Sequence, residues 1–332
     1  MSIFVAILAV IVLLLIPLIG VGVLNLEYLF GVIIPYSAIV IFLVGIVARV
    51  FRWAKSPVPF RIPTTCGQQK THDWIKSSKI EAPHTFWGVL VRMAMEVLFF
   101  RSLFRNTKQE LKEGGKLVYG SNKWLWLGSL AFHYSFLIIF IRHFKFFAEP
   151  VPHFVYVVQT LDGFFQIGLP ILYMTDIIIV LALTYLFFRR VLEPRMRYIS
   201  LLGDYFPLLL IGSIVTSGIL LRYFYKTDLV AIKELGMGLI SLHPVTPEGI
   251  GILFFIHLFF VSCLFIYFPF SKLVHMAGVF MSPTRNMANN NRMKRYINPW
   301  PSHEVKVHTY EEYEDEYRDL MRAAGLPLDK EE

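Results

Sequence analysis

Four histidines lie in two apolar stretches, and their spacing is what could do chemistry. His133 and His143 sit ten residues apart in FHYSFLIIFIRHFKFF; His257 and His275 sit eighteen apart in FFIHLFFVSCLFIYFPFSKLVH. An ionisable side chain inside a hydrocarbon-spanning segment is costly, so it marks a functional site by default. The neutral imidazole is the ligand form, and a low-dielectric setting favours it. Two such residues on each of two spans, at different depths, are what two haem irons stacked across a membrane would need, each held by a pair of histidines. Taken singly, a histidine near a span end reads equally well as an interfacial, hydrogen-bonded residue. The four-part pattern is what favours ligation.

The elements that must position these residues are apolar helices. The chain has 332 residues, 55% hydrophobic, with 30 Phe and 16 Tyr, and its mean hydropathy is +0.55. Several uninterrupted apolar runs exceed about 18 residues, the length that reads as a transmembrane helix. Six spans are readable, at about 3–24, 29–50, 123–147, 167–188, 205–222 and 250–274. The expected fold is therefore all-α, a polytopic bundle of six transmembrane helices. The first run lacks a basic leading region and a small-residue cleavage site, so it reads as a retained span. The formal charge of +8 is not a nucleic-acid signal, because the basic residues concentrate in the connections. Cys66 and Cys263 are too few to ligate an iron–sulfur cluster, and no C-x-x-C-H occurs for covalent haem attachment.

Lys and Arg set the orientation. Segment 49–123 holds fourteen against five acids, and 189–204 holds four. The alternate connections are poor in them: Arg142 and Lys145 in 142–166, and Arg222, Lys226 and Lys233 in 222–249. By the positive-inside rule both termini and 51–122 are cytoplasmic. The third span then runs outward and the sixth inward, which pairs His143 with His257 near the outer face and His133 with His275 near the inner one. As a single helix, 257–275 would make five turns, with both histidines on one face about 27 Å apart, against about 15 Å for 133–143. The rises disagree, and Pro269 is the residue that would kink the longer stretch.

The two spacings resemble those of the gamma subunit of respiratory nitrate reductase, whose family core of five helices would here gain an N-terminal span. The run PFRIPTTCGQQKTHDWIK (59–76) followed by RMAMEVLFFRSLFRNT (92–107) resembles the DsrM-type cytochrome b subunits of membrane complexes associated with dissimilatory sulfite reduction, and equally the same type of subunit in the related Hme complexes of archaeal sulfate reducers. The resemblance implies two b haems on His133, His143, His257 and His275, and menaquinol oxidation at the outer side. It also implies electron delivery to a cytoplasmic iron–sulfur subunit resembling heterodisulfide reductase, within a complex of further membrane and periplasmic subunits in the cell membrane. The expected organisation is two N-terminal spans (1–50), a cytoplasmic loop (51–122), a four-helix dihaem core (123–275) and a cytoplasmic tail (276–332).

Other residues are candidates for supporting roles. In the outer 144–166 connection, Lys145, His153, Gln159 and Asp162 could meet a quinol; His153 and Asp162 are the better proton acceptors. Arg142 and Arg222 could pair with haem propionates or snorkel to headgroups. Asp176 could serve a proton path or the quinone pocket, or bond a neighbouring helix. Gly212, Ser213, Thr216, Ser217 and Gly218 would let a helix or a haem face approach closely. Thr85–Phe104 reads as an amphipathic helix on the inner surface, for anchoring or for docking. The segment SPVPFRIP should be extended. In the tail, Thr309 with Glu312 forms a capping box, and Tyr310, Tyr313, Tyr317, Leu320 and Ala324 form a stripe suited to a partner. A transporter or channel would call for broken helices, inverted-repeat symmetry and a carboxylate-lined path, of which this sequence offers only Asp176; a non-redox membrane anchor or a transporter subunit with incidental histidines is the alternative.

Overall fold

Inside lipid a backbone can bond only to itself, so long apolar runs fold as helices. The computed structural model describes residues 2–56, 67–105, 108–225, 227–293 and 308–330. Pro57, Pro59, Pro63 and Cys66 lie outside the described residues. Helix α1 (Ser2–Gly22) leads through Asn25, at φ 51°, and a π-helical turn at Leu29–Ile33 into α2 (Ile34–Ala54). Next α3 (Phe86–Phe99), α4 (Arg101–Phe104) and a hairpin of β1 (Lys108–Lys112) and β2 (Lys116–Gly120) precede α5 (Lys123–His143). There follow α6 (His153–Asp162), α7 (Met174–Leu192), α8 (Pro194–Ile199), α9 (Leu202–Ile219), α10 (Leu229–Ile240) and α11 (Ile252–Tyr267). The tail carries α12 (His275–Gly278), α13 (Pro283–Asn286) and α14 (Tyr310–Ala323).

Among the described residues, five helical segments are long and apolar enough to cross a membrane: Ser2–Gly22, Leu29–Ala54, Lys123–Phe146, Leu202–Phe224 and Ile252–Phe270. The sixth expected span, 167–188, is shifted. Gln166 at φ 48° and Gly168 at φ 80° keep the start out of a helix, and α7 begins only at Met174. Its 19 residues include Asp176, Arg189 and Arg190, which is why it falls short of the other five in apolar character.

Helix α7 packs on α5 and α9, α9 on α1 and α11, and α11 on α1 and α2. Phe255 and Phe259 of α11 meet Val21 and Phe30; Leu210 of α9 meets Ile256 and Phe260; Ile179 and Leu183 of α7 meet Ile211. Phe255 is 1% exposed, and truncating such a ring to Ala costs roughly 3–5 kcal/mol. Phe4, Leu8, Val40 and Val44 on α1 and α2 face outward, as a lipid-facing band does.

Both ends of the bundle hold more structure than the sequence suggested. The connections on one side of the bundle, before α7 and before α11, contain α6 and α10. Asp228 caps α10 by accepting from the N–H groups of Val230 and Ala231, and Lys233 ties α10 to Glu149. Between α2 and α5, the single helix expected over Thr85–Phe104 is in fact two. Thr85 caps α3, but Phe100 takes the left-handed conformation (φ 49°) and turns the chain into α4. The hairpin was not expected; Gly114 and Gly115, both at positive φ, make its turn. The capping box of Thr309 and Glu312 is present, with both reciprocal bonds.

Candidate functional site

Helix α5 presents His133 and His143 with a rise of about 15 Å between them. Helix α11 presents His257 in its second turn. His275 is not on α11, contrary to the single-helix expectation. The helix ends at Tyr267, Phe268–Phe270 forms a 3-10 turn, Ser271 is extended (φ −114°, ψ 179°), and Lys272–Val274 forms a second 3-10 turn before His275 opens α12. Pro269 explains the break, since it has no N–H for the helical ladder and its ring crowds the preceding turn. Gly45 of α2 accommodates it: a Cβ there would meet Pro269 Cβ at 2.6 Å. Neither 3-10 turns nor an extended residue rises less per residue than an α-helix, so the break must turn the chain aside for His257 and His275 both to meet histidines of α5.

The ring centres of His133 and His275 are 6.0 Å apart, and those of His143 and His257 are 6.4 Å apart. His143 ends α5 and His133 lies ten residues earlier, at its middle, while His257 precedes His275, so the 257–275 stretch runs antiparallel to α5. Two in-line metal–imidazole bonds of about 2 Å each, with each ring centre about 1 Å beyond its nitrogen, require roughly 6 Å. All four Nδ1 atoms already have oxygen partners. His133 bonds Ser129 O at 2.7 Å, His143 bonds Ile139 O at 2.7 Å, His257 bonds Ser217 Oγ at 2.9 Å and His275 bonds Lys272 O at 2.9 Å. Donation from Nδ1 leaves the Nε2 lone pair for a metal, the second-shell arrangement usual for ligating histidine. No group of three or more His, Cys, Asp or Glu suited to a metal ion occurs among the described residues. Facing imidazole pairs of this kind fit the two axial positions of a haem iron.

The His143/His257 pair adjoins a buried polar network. Arg142, beside His143, lies 2.6 Å from Asp176 and 3.3 Å from Asp162. These three residues are 7%, 9% and 4% exposed, respectively. Asp162 also accepts from Thr175 N and Oγ1 at 2.9 and 2.6 Å, and Asp176 accepts from the Tyr223 hydroxyl at 2.7 Å. The guanidinium carbons of Arg142 and Arg222 lie 3.9 and 4.0 Å from the centre of the Tyr173 ring, within cation–π range. Arg222 donates to Ile171 O at 3.0 Å. Of the two expected quinol-site residues, Asp162 is thus enclosed in this network, while His153 is exposed in the first turn of α6. Sequence reading missed Tyr173, Thr175 and Tyr223, whose spacing gives no signal. It named Ser217 only as a small residue.

Residues 83–295 match the nitrate reductase gamma subunit family. This chain belongs to that family. Its relatives include a protein of Archaeoglobus fulgidus described as an "Hdr-like menaquinol oxidoreductase cytochrome b-like subunit", 44% identical over 286 residues, covering 84% of this chain and 85% of the relative. A protein of the same description from Archaeoglobus profundus is 42% identical over 282 residues, covering 82% and 83%. In this gamma-family chain the matched stretch runs from the start of α3 past α13 and includes all four histidines. Helices α1, α2 and α14 lie outside it.

Proposed function

We propose that this chain is the dihaem cytochrome b subunit of a menaquinol-oxidising membrane complex. The observation that carries the reading is the presence of two close histidine pairs, His143/His257 at the end of α5 and His133/His275 at its middle. The description of the Archaeoglobus relatives as menaquinol oxidoreductase subunits supports the substrate. When bound, each haem supplies a one-electron iron couple. Menaquinol gives up two electrons and two protons. The electrons pass inward from the His143/His257 end to the His133/His275 end, and then to a cytoplasmic iron–sulfur subunit of the heterodisulfide-reductase type. His153 and the Asp162–Asp176 network stand at the outer end as proton acceptors. Two carboxylates engage Arg142, whereas Arg222 forms no ion pair among the described residues and is the more available of the two for a haem propionate.

The pairing also supports six spans. Between antiparallel α5 and α11 the chain must cross the membrane an even number of times. Helix α9 is one crossing, so α7 must be the other, and its 19 residues rise about 28 Å. With the basic connections inside, both termini are then cytoplasmic.

A pyridine-haemochrome assay on the purified chain tests the reading, with two b haems per chain expected. A menaquinol analogue should reduce both in the assembled complex. A preparation free of b-type haem would sink the proposal.

A further inference from the structure

The two histidine pairs differ in ring orientation. The planes of His143 and His257 are 13° apart; those of His133 and His275 are 80° apart. Helix α5 does not cause the difference, because both its histidines bond the carbonyl four residues back. The partners cause it. His257 is held across helices by Ser217 of α9, whose own proton goes to Ser213 O or Ile214 O at 2.8 or 3.0 Å. Ser217 is 4% exposed, and a Cβ on the neighbouring Gly218 would lie 3.3 Å from His257 Cε1. That imidazole edge is therefore closely walled. His275 instead takes its plane from Lys272 O, in the 3-10 turn beyond the Pro269 break.

His133 is gripped on two sides. Phe100 and Phe132 meet it edge-on, each with ring centres 5.0 Å away, at 84° and 82°. Phe100 reaches this place only by adopting the left-handed backbone conformation that non-glycine residues avoid. Such strain persists only where the surroundings over-determine it. Here Trp126 and Tyr134 of α5 donate to Phe99 O and Leu98 O, at 2.7 and 2.9 Å, and staple the end of α3 to the helix that carries His133.

Building on the proposed ligation of one haem by each pair, we infer that the chain makes two electronically distinct centres, parallel-ringed outside and cross-ringed inside. The crossed centre is the stronger oxidant, and Ser217 and Phe100 are positioning residues for the two. An axial imidazole donates π density to the iron d orbital perpendicular to its ring plane. Parallel rings load one orbital of the pair, split it from the other and stabilise the electron-poor ferric state. Crossed rings load both orbitals equally and stabilise that state less. Axial ligation is one of the protein's levers on a haem potential, and here the lever is orientation. One electron then leaves iron(II) at the outer centre and reduces iron(III) at the inner one, with no proton moved, and the transfer runs downhill toward the inner face.

The test uses the full-length chain purified in detergent, with haem counted by pyridine haemochrome, ferric spectra recorded by electron paramagnetic resonance, and each centre titrated for potential. Two low-spin signals are expected, one with the single large g-value of crossed rings and one rhombic, the large-g centre titrating higher. Ser217→Ala should shift only the rhombic signal, and Ser217→Thr, which keeps a hydroxyl, should restore it. Phe100→Ala should shift only the large-g signal. Phe100→Leu, which keeps bulk but not a ring edge, should do the same if the alanine variant loses haem. Two haems with one shared signature, or signals that none of these variants moves, overturn the inference. Fewer than two haems per chain would instead overturn the ligation reading on which it rests.

Discussion

Arg142 donates to Asp176 across 2.6 Å and so ties the last turn of α5 to the first turn of α7. Asp162 shares the same guanidinium. Removing the cation would leave two buried carboxylates uncompensated, which costs roughly 3–5 kcal/mol. Arg142→Met should therefore lower the thermal unfolding midpoint by about 5–10 °C. Adding Asp162→Asn and Asp176→Asn to that variant should recover much of the loss. An unchanged midpoint in the single variant would mean that the cluster does not hold the two helices together.

Ligand loss should follow the pairs. His133→Ala and His275→Ala should each remove one and the same haem, and His143→Ala and His257→Ala the other. Difference absorption spectra of the four variants check this. Should His133→Ala and His257→Ala erase the same band, the pairing is wrong.

The tail carries a pH-sensitive hook. Glu314 is 2% exposed and accepts the N–H groups of Asp329 and Lys330 at 2.8 and 3.1 Å. The Asp329 bond foremost, then those of Lys330 and the nearby Arg318, hold its carboxyl below the ordinary glutamate value of 4.5. A depressed folded-state pKa means that the hook is at full strength above the ordinary value and is lost as pH falls through the lowered one. Hydrogen exchange at the Asp329 and Lys330 amides should be slow near neutral pH and speed up in acid beyond the intrinsic rate change. In Glu314→Gln that extra acid response should be gone.

Topology is accessible by labelling intact cells. A cysteine at Lys112, in β1, or at Leu320, in α14, should be protected from an impermeant thiol reagent. One at Val245, between α10 and α11, should react. The reverse pattern would invert the orientation and with it the direction of electron flow.

Five of the spans and which histidines meet across helices were legible in the sequence, because burial cost and helical periodicity act locally. The geometry after Tyr267 was not. Pro269 announces a break, but only its fit against Gly45 and the extended Ser271 say where the chain goes next. The outer network was equally hidden. Arg142, Asp162, Asp176 and Tyr223 come from four separate segments, and each alone reads as a loop charge or an interfacial ring. Phe100 looked like one more apolar residue in an amphipathic run, since nothing local requires a phenylalanine to adopt a positive φ.

The broken end of α11 also sets an order of failure. His257 belongs to a continuous helix with a buried face, whereas His275 hangs from 3-10 turns and one extended residue. Segments closed by few backbone bonds open at lower free energy than the cores to which they attach. On warming, the inner histidine should let go while the outer pair is still assembled. The wire would then break first where it meets its acceptor, leaving a half-circuit that can still be charged from outside but has no outlet.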